Sequence, residues 1–163
     1  MEKPRRKQLR LANWDYSTNA CYHVTICTKD RKPTFGYVVR CDNMETPCFV
    51  KLTPLGKCCE ESIAVSSSSN ASVSIENYVV MPNHVHVLVW IKHDELHPVS
   101  LESFVRYLKS SVTKAAHAKG LDGPPIWQKG YYERIIRGDE DFFSVWEYID
   151  NNPAKWDTDP YCC

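Results

Sequence analysis

The sequence predicts a chain of mixed strands and helices organised around one β-hairpin. The hairpin is indicated by residues 78–91, where two runs rich in Val, Tyr, Trp and Ile are separated by Pro82-Asn83. Valine, isoleucine and aromatic residues favour strands, and a Pro-Asn pair favours a turn. Apolar residues also alternate over residues 22–28, which predicts another strand. Over residues 101–115 they recur at helical spacing, which predicts an amphipathic helix.

The elements that precede the hairpin follow from local signals. Residues 37–52 contain two short extended runs with a polar loop between them. Thr53 and Pro54 are typical of an N-cap and a first helical residue, so a helix is predicted from residue 54 to about 65. The serine run at 66–69 predicts a flexible loop, after which a strand over 73–81 leads into the turn.

The elements that follow the hairpin alternate between helix and strand. Ser100 is expected to cap the amphipathic helix, which Gly120 ends. A short strand is predicted over residues 132–137. The last helix is predicted near residues 140–152, with Asp139 as its N-cap.

Length and composition favour one globular domain. The chain has 163 residues, of which 43% are hydrophobic and 25% charged, with a net charge of zero. We expect a basic N-terminal arm over residues 1–15 and a single domain over 16–163. No apolar run reaches the length of a membrane span, and the basic N-terminus lacks the apolar segment of a secretory signal. The sequence therefore predicts a cytoplasmic protein that does not enter a membrane.

The eight cysteines indicate neither a zinc framework nor a disulfide scaffold. The chain has no Cys-x-x-Cys, and Cys58-Cys59 and Cys162-Cys163 are adjacent pairs, which bridge poorly. We expect reduced thiols throughout.

Two histidines of the hairpin are candidates for a metal site. Alternate residues of a strand share a face, so His84 and His86 point the same way, about 6.5–7 Å apart along the strand. Two imidazoles at that spacing can bind one cation from one side, with a third ligand from elsewhere. The alternative is a pair of polar residues on the wet face of a half-buried strand. His93 and His97 could join such a site, although exposed loop histidines are the simpler interpretation.

The last helix carries a candidate nucleophile beside a candidate ligand. Asn152 follows Tyr148 by four residues, which places the two on one face. A tyrosine hydroxyl has a pKa of about 10 and is a poor nucleophile, so a divalent cation on a phosphate would lower the barrier. The carbonyl of Asn152 could be a third ligand for Mg²⁺ or Mn²⁺. The residues alone do not select Tyr148 among nine tyrosines.

Basic residues are grouped although the net charge is zero. Residues 1–10 carry five basic groups and one acid, and residues 100–119 carry four and one. The segment 126–137 interleaves aromatic and basic residues, which suits base stacking with phosphate contact and suits a core edge equally well. The candidate nucleic-acid contacts are Arg5, Arg6, Lys109, Lys114 and Arg134. Solvated surface charges are the alternative for all of them.

Several stretches together resemble one known family. Met81-Pro82-Asn83-His84-Val85-His86 resembles the His-hydrophobic-His signature of the IS200-like single-tyrosine (HUH) transposases, and among these the REP-associated tyrosine transposases are the most similar. The other stretches that carry the resemblance are Tyr22 to Thr28 with Asp30-Arg31, Leu55-Gly56-Lys57, Ile126-Trp127-Gln128 with Tyr131-Tyr132-Glu133 and Ile135-Ile136-Arg137, and Glu147-Tyr148-Ile149 with Asn152-Pro153 and Lys155-Trp156.

This resemblance implies a fold and a chemistry. It implies an α+β, ferredoxin-like antiparallel sheet with helices packed against it. It also implies metal-dependent cleavage and rejoining of single-stranded DNA, often beside a hairpin, without ATP. In the matching positions, His84 and His86 would bind the metal, Tyr148 would form a 5′-phosphotyrosine link, and Asn152 would complete the metal site. A monomer and a homodimer both stay open.

Two other functions are compatible with the sequence. A domesticated, non-catalytic protein could bind single strands or hairpins through the basic residues alone, and it would not need Tyr148. A small metal-dependent hydrolase could use the two histidines to activate water, and it would form no covalent adduct.

Overall fold

The fold consists of a four-stranded sheet, a separate two-stranded ribbon and three α-helices within the part of the chain described. The computed structural model describes residues 19–40, 48–92, 94–96 and 98–161. The strands are β1 (Ala20–Cys27), β2 (Gly36–Val39), β3 (Phe49–Leu52), β4 (Val73–Val80), β5 (His84–Ile91) and β6 (Tyr132–Ile135). The helices are α1 (Pro54–Ser68), α2 (Leu101–Ala118) and α3 (Gly138–Asp150). Short 3-10 helices cover Lys29–Arg31 and Pro153–Thr158.

The main sheet has the order β4-β5-β1-β6, with every neighbouring pair antiparallel. Without the β2–β3 ribbon, the elements follow the order strand, helix, strand, strand, helix, strand. The first of these strands lies in the middle of the sheet, between the third and the fourth. This is a ferredoxin-like α+β fold, as the sequence resemblance implied.

One face of the main sheet forms the larger apolar core. Strands β1 and β5 present alternate residues to this face, and α1 and α2 cover it. Its members include Tyr22, Val24, Ile26, Val85, Val87, Val89, Ile91, Ile63, Phe104, Val105, Leu108 and Val112. Each such side chain stabilises the fold by about 1.5–3 kcal/mol when fully buried. The alternation in 22–28 and 84–91 therefore predicted this face correctly.

The two core helices begin where the sequence predicted. The hydroxyl of Thr53 accepts from the backbone N–H of Gly56, and Ser100 forms a reciprocal capping box with Ser103. Helix α1 extends beyond residue 65, however, into the serine run that was predicted to be a loop. The Ser66 hydroxyl donates to the carbonyl of Ser62 at 2.7 Å, so the polar side chains are satisfied inside the helix.

Helix α3 begins earlier than predicted and covers the second face of the sheet. Asp139 is not its N-cap; Arg137 holds that position, and Gly138 turns the chain with a φ of 80°. The carboxylate of Asp141 accepts from the Arg137 N–H at 3.0 Å and forms an ion pair with Arg134. The buried residues of the helix pack on the sheet in a small cluster of Cys21, Leu88, Val145 and Ile149.

Some sequence predictions fall outside the described residues. They are the basic arm with Arg5 and Arg6, the loop histidines His93 and His97, and Cys162-Cys163. The cysteines that are described, at positions 21, 27, 48, 58 and 59, are free thiols, as predicted. None of the described helices combines the length and hydrophobicity that crossing a bilayer demands.

Candidate metal and nucleophile site

The histidines His84 and His86 lie together on the second face of the sheet and are fully buried. Their side chains are 0% and 1% exposed, so the alternative of a wet strand face is wrong. The two Nε2 atoms are 3.0 Å apart. The rings of Trp156 and Tyr161 lie against His84, with centroids 6.0 and 4.9 Å away. The chain that follows α3 therefore covers the pair from solvent.

Each histidine is held from behind by hydrogen bonds at its Nδ1 atom. Nδ1 of His84 lies 2.8 Å from the side-chain oxygen of Asn83. Nδ1 of His86 lies 2.9 Å from the hydroxyl of Thr25 and 3.1 Å from Nε2 of His23. Both partners of His86 come from β1, where Thr25 is paired directly with His86. The Nε2 atoms consequently point to a common centre.

Burial keeps these imidazoles neutral near pH 7. Loss of solvent lowers the pKa of His84 to about 4, although the charge of Asp159 acts in the opposite direction. Burial also lowers the pKa of His86 well below its ordinary value and that of His23 to about 4. Neutral rings retain a lone pair on one nitrogen, which is the form that binds a metal.

Asp159 joins the histidines, although no pattern in the sequence indicated it. Ligand atoms of His84, His86 and Asp159 lie within 4.8 Å of one another, and all three residues are buried. Asp159 lies directly after the 3-10 helix Pro153–Thr158, in a segment that has no periodic pattern. A carboxylate with two imidazoles is a donor set that binds divalent cations.

The predicted third ligand, Asn152, lies at the same place. Its Nδ2 donates to Oδ2 of Asp159 at 3.1 Å, and its side chain is 1% exposed. Its carbonyl oxygen, Oδ1, is buried and accepts no hydrogen bond within the described part of the chain. A buried carbonyl without a donor is unfavourable by about 1–3 kcal/mol, unless a cation or water satisfies it. The residues present therefore fit a divalent metal.

Tyr148 lies at the edge of this cluster and opens into a pocket. Its hydroxyl donates to Oδ2 of Asp159 over 3.5 Å, and its ring lies 5.2 Å from that of His86. Partial burial, and after it the charge of Asp159, raises the pKa of the phenol. The pocket has a volume of about 400 Å³. Among the residues that line it are His23, Thr25, His86, Tyr132, Arg134, Ser144, Tyr148 and Tyr161.

The predicted basic contacts occupy different environments. Arg134 lines the pocket while pairing with Asp141, and Lys114 is exposed on α2. Lys109 is not a free surface cation, because its ammonium donates to the carbonyls of Gln128 at 2.9 Å and Gly130 at 2.6 Å. Burial lowers its pKa. Lys109 thus fastens the segment before β6 to α2, which the helical pattern alone did not show.

His23 was interpreted from the sequence as an ordinary strand histidine, but it belongs to the site. Its ring lies 5.0 Å from that of His86 and 5.8 Å from that of Tyr148. Strand alternation did place His23 and Thr25 on one face of β1. The missing information was the register of β1 with β5, which brings that face onto His86.

Comparison with known proteins identifies the family. Residues 16–152, most of the chain, match the family described as "Transposase IS200 like". The chain belongs to the IS200-like transposase family. This membership supports a function related to DNA transposition.

Individual relatives agree with this assignment. An uncharacterized protein of Haemophilus influenzae (strain Rd) is 31% identical over 175 aligned residues, which cover 94% of this chain and 91% of that protein. A REP-associated tyrosine transposase, solved bound to a REP hairpin, is similar with a TM-score of 0.59 and 21% identity. The match covers 90% of this chain and 73% of that one.

A second solved structure has the same fold. A Deinococcus radiodurans R1 protein assigned as a transposase matches with a TM-score of 0.51 and 18% identity, over 87% of this chain and 95% of that protein. At these identities the two solved structures support the ferredoxin-like fold.

Proposed function

We propose that this protein cleaves and rejoins single-stranded DNA through a covalent 5′-phosphotyrosine at Tyr148. The observation that supports the proposal best is the convergence of four groups on one buried centre. The Nε2 atoms of His84 and His86 come from β5, the hydroxyl of Tyr148 comes from α3, and the unsatisfied Oδ1 of Asn152 comes from the residues that follow α3. One pocket opens beside them.

The metal would be held by His84, His86 and Asn152, with Asp159 as a further oxygen donor. Imidazole nitrogens together with carbonyl and carboxylate oxygens suit Mn²⁺ or Mg²⁺. When bound, the cation would polarise the scissile phosphate and neutralise the charge that develops on it. The neutral state of both histidines favours binding, because no proton has to be displaced from a charged ring.

Tyr148 would supply the nucleophilic oxygen. Its O–H bond breaks, a bond forms between the phenolic oxygen and phosphorus, and the bond from phosphorus to the 3′ oxygen breaks, which releases a 3′-hydroxyl. The raised pKa of the phenol means that it needs an acceptor for its proton, and Oδ2 of Asp159 lies in contact with the hydroxyl at 3.5 Å. Attack by a 3′-hydroxyl reverses the step and restores the phenol.

The substrate is proposed to be a single strand next to a hairpin. A neighbour in fold was solved bound to a REP hairpin, and the pocket beside Tyr148 combines tyrosine rings with the Arg134 guanidinium. Tyrosine rings stack on bases, and guanidinium groups bind phosphate. Arg5, Arg6 and Lys114 remain proposed phosphate contacts. Lys109 is proposed to act through the fold, since carbonyls already accept its hydrogen bonds.

The proposal is tested by trapping the adduct. Labelled hairpin DNA from the sequence that flanks the gene is incubated with protein in EDTA, in Mg²⁺ or in Mn²⁺, and separated on a denaturing gel. We expect a protein-linked band that requires metal and His86 and that Tyr148→Phe abolishes. Tyr107→Phe is the matched control, because Tyr107 is an exposed tyrosine of α2 and should retain the band. Hairpin binding with no adduct in wild-type protein would indicate the non-catalytic binder instead.

A further inference from the structure

The hydrogen bonds of Asn83 determine which nitrogen of His84 carries a proton. The amide nitrogen of Asn83 donates to two carbonyls, those of Arg31 at 3.1 Å and Tyr161 at 2.7 Å. Its oxygen must therefore be the atom 2.8 Å from Nδ1 of His84, and it can only accept. Nδ1 of His84 consequently holds the proton, and Nε2 presents its lone pair to the centre. His84 is already in the tautomer that a metal requires.

The contact between the two rings gives His86 the opposite tautomer in the metal-free protein. Nε2 of His86 lies 3.0 Å from Nε2 of His84, and two lone pairs at this distance would repel. Since the His84 atom is the acceptor, Nε2 of His86 must carry the proton. Nδ1 of His86 then holds a single lone pair, which the Thr25 hydroxyl and Nε2 of His23 share as donors. His86 thus has to change tautomer before it can bind a cation.

We propose that Thr25 and His23 are positioning residues that let His86 exchange tautomers when a divalent cation enters. This inference rests on the proposed function, because it concerns the same metal centre. Nε2 of His86 releases its proton to solvent, and Nε2 of His23 passes its proton to Nδ1 of His86. His23 takes a proton from solvent on its own Nδ1, so both rings stay neutral and no net proton is released. The Thr25 hydroxyl and Nε2 of His23 then change from donors to acceptors. The two histidine ligands therefore differ, because His84 keeps its tautomer and His86 changes its tautomer when the metal binds.

The chemistry of the two partners suits this exchange. A hydroxyl donates or accepts by rotating, and a neutral imidazole does so by moving its own proton. Lysine or arginine at position 23 could only donate. Strand pairing places the Thr25 hydroxyl directly opposite His86, and His23 follows on the same face of β1.

The first test observes the tautomers directly. Nitrogen-15 NMR of the full chain, labelled in histidine, is recorded in EDTA and after saturation with Mg²⁺. We expect His84 to carry its proton on Nδ1 in both spectra, and His86 to move its proton from Nε2 to Nδ1 with the metal. A His86 that already holds its proton on Nδ1 in EDTA would overturn the inference, as would one that does not change with bound metal.

The second test measures Mn²⁺ binding by calorimetry without DNA. The double variant Thr25→Val with His23→Leu removes both partners and should weaken binding about 10–100-fold. Thr25→Ser and His23→Gln retain groups that both donate and accept, so each should bind within about threefold of wild type, as outer-shell substitutions that keep the hydrogen bond should. Thr113→Val is the matched control, because that hydroxyl donates within α2, to the carbonyl of Lys109.

The Mn²⁺ titrations distinguish a failure of the proposed metal centre from a failure of the tautomer exchange. Wild-type protein that binds no Mn²⁺ would remove the proposed metal centre together with the tautomer exchange. Wild-type protein that binds Mn²⁺ while the double variant binds it equally well would remove only the exchange. Thermal unfolding of each variant is followed in parallel, and the NMR result on wild type stands even where a variant does not fold.

Discussion

The two faces of the main sheet use the same strands for different purposes. The face under α1 and α2 is filled by aliphatic and aromatic side chains from residue 20 to residue 112. The face under α3 has a small apolar cluster at one end and four polar side chains, His23, Thr25, His84 and His86, at the other. On the first face, the volume and hydrophobicity of the side chains determine the packing. On the second face the direction of individual lone pairs matters.

Burial has different consequences on the two faces of the sheet. On the apolar face it supplies the free energy of folding. On the polar face it is unfavourable unless each group finds a partner, and it holds imidazoles neutral and a carbonyl unsatisfied. We infer that the first face supports a second face that would be unstable alone.

Removing a buried side chain from the apolar face should change the free energy of unfolding the most. Leu108 is fully buried in α2, and Leu108→Ala should lower the free energy of unfolding by about 2–5 kcal/mol, because it removes apolar contacts and leaves a cavity. Urea denaturation at pH 7 measures the change. Val65→Ala, at an exposed position of α1, should change it by less than about 0.5 kcal/mol. Equal effects at the two positions would contradict the assigned core.

A change of pH should act on the buried histidines of the polar face. The pKa values of His23 and His84 are about 4 in the folded chain, against about 6.5 when unfolded. Between pH 4 and pH 6.5 the unfolded chain binds more protons than the folded chain. The contribution of these two histidines to the free energy of unfolding is therefore fully present above pH 6.5 and is lost as the pH decreases toward 4. Each histidine contributes a slope of up to about 1.4 kcal/mol per pH unit.

The pH effect is measured by urea denaturation in EDTA at several values between pH 7 and pH 4. His23→Gln should reduce the slope by the share of one histidine, because glutamine does not titrate. A slope that His23→Gln leaves unchanged would show that His23 is not neutralised by folding.

On the polar face, removing the charge of Asp159 should have a smaller effect, which is a change in the pKa of Tyr148. The charge of Asp159 contributes to the raised pKa of Tyr148, so Asp159→Asn should lower that pKa. Carbon-13 NMR of labelled tyrosine measures the titration, and the exposed Tyr107 serves as an internal reference that should not change. An unaltered pKa of Tyr148 in the variant would show that the charge of Asp159 does not act on this phenol.

The sequence was informative where the chain is periodic. Strand alternation predicted that His84 and His86 share a face, and helical spacing predicted that Tyr148 and Asn152 do. Both follow from local geometry alone. Asp159 could not be predicted, because it lies in an irregular segment whose path depends on packing. The role of His23 depends on strand register, and the extension of α1 depends on serine hydroxyls bonding to their own helix.

Helix α3 carries Tyr148 and leads directly into Asn152, and only two of its residues, Val145 and Ile149, are buried apolar side chains. A helix with fewer buried apolar residues than α2 therefore holds the proposed nucleophile and leads into one proposed metal ligand. Local opening needs less free energy than global unfolding where few apolar contacts are lost. On gradual heating, cleavage activity should consequently disappear while the β1–β5 amides are still protected from hydrogen exchange. The melting temperature of the whole fold would overstate the temperature up to which Tyr148 and Asn152 keep their positions.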